Sequence, residues 1–238
     1  MRFNCCSFPT ITSTPFEFPK TTEKKGAASL GLGGALKVAF GQKTFDAEGL
    51  EAKGRFFSRR ISYPGGDNSG VTVGRGYDMG LRSPGQIVRE LTLAGMSQGD
   101  AEIFSKGAGL RGDRARVFVN QNSDITPEMS LEVQKSLFEN VTTPEMVNDI
   151  KRIFDKPDTV KAYGRPSWDS LTTAAQELVF DLRYRGDYTP TTRKRIQKLL
   201  VTQDYEGLKA VMNDTAYWRA LKVPEGRIAE RQKMAAEL

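Results

Sequence analysis

The segment from Ser69 to Gly80 places the strongest constraint on the fold of this chain. It contains an apolar run, residues 71–73, that is typical of a short strand and carries Thr72. Two glycines then bracket a tight turn, and the carboxylate of Asp78 follows. A second strand-like run, residues 61–63, precedes the segment across a turn-rich connection. The sequence therefore predicts a small β-hairpin in this region.

Hydrophobic periodicity predicts a helix directly before this hairpin. Thr44 is the N-cap candidate, and the helix is expected to run to about Arg59. Phe45 and Leu50, together with two further phenylalanines, can share its apolar face. Glu48 would then lie in the first turns of this helix.

Beyond the hairpin nearly all of the sequence has helical periodicity. Ser83-Pro84 predicts a helix start with an end near Gly95, and Thr143-Pro144 repeats that start signal. Residues 171–182 keep a 3.6-residue apolar rhythm, which indicates a buried central helix. Further helices are predicted around residues 196–200 and over residues 228–238. We therefore expect an α+β fold, predominantly α, in which a helical domain carries one small β-hairpin.

The chain divides by composition into an extension, residues 1–40, and a main domain, residues 41–238. The extension is punctuated by prolines, lacks periodicity and ends in a glycine-rich connector at residues 26–34. Both cysteines of the chain, Cys5 and Cys6, fall within it. No apolar run approaches the ~20 residues that span a bilayer, and the first residues lack the apolar core of a secretory signal peptide.

The charge balance predicts an affinity for anionic polymers. The chain carries 35 basic against 29 acidic residues, a formal net charge of +6. Such a charge favours binding to anionic polymers such as those of the cell wall or nucleic acid. No zinc-finger spacing or RNA-binding aromatic motif accompanies the basic stretch at residues 193–198, so we predict no nucleic-acid partner.

The absence of histidine narrows the chemistry that the chain can perform. With no histidine there is no Ser-His-Asp triad, no Cys-His pair and no His-ligated catalytic zinc. Catalysis by carboxylates and hydroxyls remains, and glycoside hydrolysis is its leading example. Glu48 is the candidate general acid, and Asp78 and Thr72 are candidates for handling a water. This chemistry needs no metal or cofactor.

A general acid must be protonated at the working pH. At the predicted position of Glu48 the dipole at the start of the helix would favour the ionised form. Burial against aromatic residues and a nearby aspartate are therefore expected to raise its pKa.

These residues resemble the catalytic region of the phage-type lysozymes, most closely their pesticin-like branch. Glu48-Gly49-Leu50 matches the Glu-Gly-Leu in which the family places its general acid, on a helix just before a hairpin. Residues 72–76 match its Thr-hydrophobic-Gly-x-Gly hairpin motif, and Asp78 follows Thr72 by six positions as in the pesticin-like branch. The segment from Tyr63 to Met79 is also similar to lysozyme domains of effectors delivered by type VI secretion.

The resemblance leaves the second carboxylate open and becomes diffuse after residue 80. Phage lysozymes place their aspartate before the threonine, where Asp67 lies one residue too close. Asp181 stands where the family usually has an asparagine. The C-terminal part of the family carries a tryptophan and paired arginines, which Trp218, Arg227 and Arg231 resemble.

The resemblance implies a muramidase that hydrolyses the β-1,4 bond between N-acetylmuramic acid and N-acetylglucosamine in peptidoglycan. It implies inversion, with catalytic carboxyl groups roughly 6.5–9.5 Å apart. An antibacterial effector or bacteriocin is the expected biological form, made in the cytoplasm and acting in the periplasm or wall of target bacteria. A cognate immunity protein and a secretion-machine component bound by residues 1–40 are the expected protein partners. A lytic transglycosylase and a non-catalytic wall-binding or delivery module are the alternatives.

Overall fold

The computed structural model describes residues 36–51 and 57–238. The first elements are helix α1 (Gln42–Ala47) and strands β1 (Thr72–Val73) and β2 (Tyr77–Asp78). The helices that follow are α2 (Pro84–Leu93), α3 (Gln98–Ser105), α4 (Asp113–Asn122), α5 (Leu131–Leu137), α6 (Thr143–Phe154), α7 (Pro157–Tyr163), α8 (Thr173–Tyr184), α9 (Pro190–Thr202), α10 (Tyr205–Asn213), α11 (Thr215–Ala220) and α12 (Glu225–Ala235). A π-helical turn (Phe138–Thr142) joins α5 to α6, and a 3₁₀ turn (Trp168–Ser170) precedes α8. The predicted α+β class, predominantly α with a small antiparallel sheet, is confirmed.

The hairpin is shorter than the sequence predicts and lies slightly later in the chain. β1 and β2 pair antiparallel with Thr72 opposite Asp78 and Val73 opposite Tyr77. The turn between them carries two glycines with positive φ, Gly74 at 63° and Gly76 at 91°. The predicted strand at residues 61–63 contributes a single bridge, in which Ser62 pairs with Thr72.

The predicted helix from Thr44 to about Arg59 is wrong in its extent. α1 runs from Gln42 to Ala47, and Glu48 is its C-cap rather than a residue of its first turns. Its N-cap is Gly41 rather than Thr44, because Thr44 is buried inside the helix and its hydroxyl donates to Asp181. The chain turns at Leu50, whose N–H donates to Ser58 Oγ at 2.6 Å and whose carbonyl accepts from the Ser58 N–H at 2.9 Å. These bonds replace the helical ladder, so Leu50 is exposed rather than part of an apolar face. Residues 52–56 of the predicted helix lie outside the described residues.

The two proline start signals have different outcomes. α2 begins as predicted, because the Ser83 side chain accepts from the Gln86 N–H at 3.2 Å and Pro84 occupies the first helical position. α6 also begins where predicted, at Thr143 with Pro144 at its start, but no side chain caps it, because α5, the π turn and α6 follow one another without a break. Pro144 has no N–H to donate, and the π turn provides the altered hydrogen bonding that accommodates this loss.

The core consists of two apolar clusters. One lies between the hairpin and helices α2–α5 and includes Val71, Tyr77 and Leu91. The other is built on α8, as predicted for residues 171–182, and packs α1, α6, α9, α10 and α12 around it. The hairpin therefore belongs to one cluster and α1 to the other, and the α5–α6 helix runs through both.

The end of the predicted extension packs on this core. Phe40 is buried, and its ring lies 5.2 Å from that of Phe180 and 6.4 Å from that of Trp168, centroid to centroid. The Ala39 and Gly41 N–H groups donate to glutamates of the π turn and of α8. Residues 36–40 thus lie on the body of the protein, and residues 1–35 of the predicted extension fall outside the described residues.

Two truncations that differ by five residues test where the folded body begins. A chain starting at Leu36 keeps Phe40, and we expect its melting temperature to match that of the full chain. A chain starting at Gly41 loses the Phe40 ring, and a phenylalanine deletion of this kind costs about 3–5 kcal/mol. Thermal unfolding followed by circular dichroism measures both. An equal melting temperature for the two truncations would show that Phe40 adds nothing to the core.

Candidate active site

Glu48 lies at the end of α1, where its carboxylate meets an arginine from α12. Phe45, one turn earlier, is fully buried and anchors the helix in the core. The Glu48 side chain remains 24% exposed, and its Oε1 accepts a hydrogen bond from Nη2 of Arg227. Arg227 is, within the part of the chain that the structure describes, the one hydrogen-bonding partner of this carboxylate.

Arg227 belongs to a chain of alternating charges. Its Nη1 donates to Asp181 at 2.7 Å, and the other oxygen of Asp181 accepts from Nε of Arg231 at 2.7 Å. Arg231 also donates to Asp187 at 2.6 Å, and Asp187 pairs with Arg185. Within this chain of residues each carboxylate contacts at least one arginine, which is how buried charges are stabilised.

Burial shifts the proton affinity of the inner members of this chain. Burial and, to a lesser extent, the neighbouring Arg231 charge together lower the pKa of Arg227 to about 10. Burial raises the pKa of the Asp181 carboxyl, an effect opposed by Arg231 and by the Thr44 hydroxyl. The Thr44 hydroxyl donates to Asp181 at 3.3 Å, so the start of α1 and the Glu48 end both contact this network.

Glu48 lines an open cavity of about 450 Å³. Its walls come from the end of α1, from Arg185 and from the first turns of α12. A second carboxylate, Glu230, also lines this cavity, and it pairs with Lys233 at 2.6 Å. The cavity therefore combines a partly exposed carboxylate fixed by an arginine with room for a polar ligand.

Thr72 and Asp78 lie opposite each other in the hairpin, so their side chains share one face of the sheet. Thr72 exchanges both of its backbone hydrogen bonds with Ser62, at 2.7 and 2.9 Å. It therefore faces Asp78 as a non-hydrogen-bonded pair, the arrangement in which opposite side chains lie closest. Thr72 is buried, whereas Asp78 is exposed.

Gly70 connects these two side chains. Its N–H donates to Asp78 Oδ2 at 3.0 Å, and its carbonyl accepts from the Thr72 hydroxyl at 3.3 Å. The Gly80 N–H holds the other oxygen, Asp78 Oδ1, at 2.6 Å. A Cβ on Gly70 would lie 2.1 Å from that same oxygen, so only glycine allows the backbone to approach the carboxylate this closely.

Asp78 lines a different cavity from Glu48. This second cavity, of about 270 Å³, lies where the hairpin meets the π turn, α6 and α8. Gly76 and Asp78 form its hairpin side, and Thr142, Glu145 and Tyr184 lie among the residues opposite. Among the described residues no hydrogen bond joins Glu48 directly to Thr72 or Asp78. The structure thus brings Thr72 and Asp78 together and places Glu48 at a separate cavity.

The alternative aspartate, Asp67, is exposed in the connection before β1. That connection is fixed through its neighbour Asn68, whose carbonyl and side-chain oxygens accept from Arg111 at 3.0 and 3.1 Å. Nothing within the described ranges hydrogen-bonds the Asp67 carboxylate itself, in contrast to the two amides that hold Asp78.

A residue that the sequence analysis did not single out connects the two regions. Arg75 lies in the hairpin turn, and its side chain crosses to the Glu48 segment, where it donates to the Phe45 carbonyl at 3.0 Å and to Glu51 at 2.7 Å. Two features of the sequence could have indicated this contact. Arg75 stands between the two turn glycines, and Glu51 directly follows the Glu-Gly-Leu motif. The contact of Arg227 with Glu48 had no comparable signal, because 179 residues separate the two.

The described residues hold no group of three or more His, Cys, Asp or Glu side chains arranged to bind a metal ion. No helix within these residues has the length and apolar character that crossing a membrane requires.

A family model described as a domain of unknown function (DUF8812) matches residues 41–232. No curated protein matches the sequence.

Alanine at position 70 tests how tightly the hairpin fixes Asp78. The new Cβ would overlap both Asp78 Oδ1, at 2.1 Å, and the Gly80 nitrogen, at 2.4 Å, so the carboxylate must separate from its amide partners. We expect the free energy of unfolding to fall by about 1–3 kcal/mol. Gly99→Ala is the matched control, because open space surrounds that glycine in α3. Chemical denaturation of both variants measures the difference. If Gly70→Ala is as stable as Gly99→Ala, the carboxylate is not held as described.

Proposed function

The chain belongs to the family described as a domain of unknown function (DUF8812), and from its own residues we propose that it is a peptidoglycan-degrading muramidase of the phage-lysozyme type. The observation that carries the proposal is the pairing of Thr72 with Asp78 on one face of a hairpin that follows a partly exposed glutamate. This glutamate borders an open cavity, and backbone hydrogen bonds hold both members of the hairpin pair. Glycoside hydrolysis requires such a combination of one acid and one group that positions water.

In this proposal Glu48 protonates the leaving oxygen of the β-1,4 bond. Its position at the C-terminal end of α1 supports that role, because this end of the helix dipole disfavours a carboxylate. The Arg227 hydrogen bond acts in the opposite direction and favours the ionised form. Asp181 shares the same guanidinium, which reduces the net positive charge that Glu48 experiences. Arg227 thereby orients this acid at the edge of the cavity.

Asp78 and Thr72 position and activate the attacking water on the hairpin side. The two backbone amides fix the Asp78 carboxylate, and a fixed acceptor is what holds a water in the direction of attack. Water that attacks from the face opposite the leaving group gives inversion. The net charge of +6 supports attraction to the anionic wall polymer. An antibacterial effector with a cognate immunity protein is the biological form that we propose.

Glutamine at position 48 tests the general acid. Glu48→Gln keeps an oxygen that can accept from Arg227 but has no proton to give, so we expect wall hydrolysis to fall by at least ~10²-fold with an unchanged melting temperature. Glu230→Gln is the matched control, because it removes a carboxylate from the same cavity. Turbidity clearing of purified peptidoglycan measures activity. A Glu48→Gln enzyme that keeps a tenth of the rate, or a Glu230→Gln enzyme that loses it, contradicts the assignment.

The ends of the released fragments distinguish the proposed reaction from the alternatives. Mass spectrometry of a complete digest should show reducing N-acetylmuramic acid ends, formed by addition of water. Anhydro-muramic ends would identify a lytic transglycosylase. An undigested wall that retains the protein in a pull-down would identify a binding module.

Three hairpin variants decide which aspartate works with Glu48. We expect Asp78→Asn to lower turnover several hundred-fold and Thr72→Ala to lower it less, since preorganised groups contribute about 10²–10⁴-fold. Asp67→Asn should cost only a few-fold, because nothing described fixes that carboxylate. All three are assayed on one wall preparation, with melting temperatures measured in parallel. A dead Asp67→Asn beside an active Asp78→Asn would transfer the role to Asp67.

A further inference from the structure

Arg75 occupies an unusual position for an arginine in a hairpin turn. Turn residues between glycines normally point to solvent, yet its side chain is only 3% exposed. The guanidinium lies 4.3 Å from the centre of the Phe45 ring, beneath α1. Burial lowers the pKa of Arg75, an effect that Glu51 and Asp46 oppose. The chain therefore buries a full positive charge between the hairpin turn and α1.

The contacts of Arg75 lie on both sides of Glu48. Before it, Nη1 donates to the carbonyl of Phe45 at 3.0 Å, and beyond it Nη2 donates to Glu51 Oε1 at 2.7 Å. The backbone at Gly49 lies directly against the guanidinium, since a Cβ there would be 2.0 Å from Nη1 and 2.3 Å from Cζ. The three residues that Arg75 contacts thus bracket Glu48 closely.

The main chain of Arg75 is fixed on the opposite side. Its carbonyl accepts from the hydroxyl of Tyr184 in α8, and Gly76 packs on the same tyrosine ring. Desolvation raises the pKa of Tyr184 well above its usual range, so this hydroxyl stays protonated and keeps donating. Arg75 consequently connects the hairpin, the Glu48 segment and α8.

Stability alone does not account for a charge in this position. Nε of Arg75 is buried without a partner among the described residues, and replacing both members of a buried ion pair by apolar side chains is often neutral or stabilising. Glu51, the carboxylate partner, also bonds Arg59 at 3.0 Å and Gln134 at 2.8 Å, so it does not depend on Arg75. What Arg75 adds is a directional link between the hairpin and the residues around Glu48.

We infer that Arg75 is a positioning residue that fixes Glu48 relative to the Thr72–Asp78 pair. This inference rests on the proposed function, because it assigns Arg75 the task of holding the acid and the water-positioning group at a working separation. A displacement of about 1 Å at such a site costs on the order of 10² in rate. Arg75 itself touches no reacting atom.

Arg75→Met tests the inference, with Arg59→Met as the matched control. Both remove an arginine bonded to Glu51, but only Arg75 reaches Phe45 and Gly49. On soluble peptidoglycan fragments we expect Arg75→Met to lower kcat by about 10²-fold with KM within about three-fold of wild type. Arg59→Met should keep both constants. Gly49→Ala, which pushes on the guanidinium without changing a charge, should lower kcat in the same direction.

Hydrogen exchange gives a readout that does not depend on activity. In Arg75→Met the amides of residues 44–51 should exchange at least ten-fold faster than in wild type, and in Arg59→Met they should not. An unchanged kcat, an equal loss in Arg59→Met, or unchanged exchange over residues 44–51 would each overturn the inference. If the wild-type protein leaves the wall intact, the proposed function fails, and the exchange comparison still decides whether Arg75 fixes the Glu48 segment.

Discussion

The guanidinium of Arg227 is the group on which the arrangement around Glu48 depends. It divides its N–H groups between a partly exposed carboxylate, Glu48, and a buried one, Asp181. Because a buried charge without a partner costs several kcal/mol, Asp181 and Arg231 require each other and hold Arg227 in place. Another N–H group of the same guanidinium, at Nη2, then orients Glu48. The interaction that stabilises the junction of α8 and α12 thus also fixes the candidate acid.

The hairpin obtains its rigidity by a separate means. Asp78 is held by backbone amides rather than by charged side chains, and the close approach of Gly70 makes this possible. Glu48 is attached to one apolar cluster through α1, and the Thr72–Asp78 pair is attached to the other through the hairpin. Different interactions thus hold the two parts of the proposed site. A contact between them is needed if they are to act on one bond, and Arg75 provides one from the hairpin turn to the base of α1.

The sequence predicts the fold class and the start of α2 at Ser83-Pro84, but not the cap of α1 or the charge network. Ser83-Pro84 and the apolar rhythm of residues 171–182 are local signals, and the structure confirms both. The helix predicted through Glu48 is wrong because Leu50 pairs with Ser58, a contact that periodicity does not encode. Pro144 marks the start of α6, but the local pattern does not indicate that the preceding π turn joins this helix to α5. The bond between Glu48 and Arg227 joins the two ends of the main domain, so no local pattern could have shown it.

The structure also bears on how one carboxylate can hold a turn and position a water. Each oxygen of an ionised carboxylate offers about two lone-pair sites, and the amides of Gly70 and Gly80 occupy one on each oxygen of Asp78. Because the side chain is exposed, the remaining sites face solvent or the adjoining cavity. The carboxylate therefore keeps acceptor sites for water while it holds the turn. The same hydrogen bonds prevent rotation of the carboxylate, so a bound water keeps one position. The hydrogen bonds from these two backbone amides to the Asp78 carboxylate are therefore the preorganisation that the proposed hydrolysis requires.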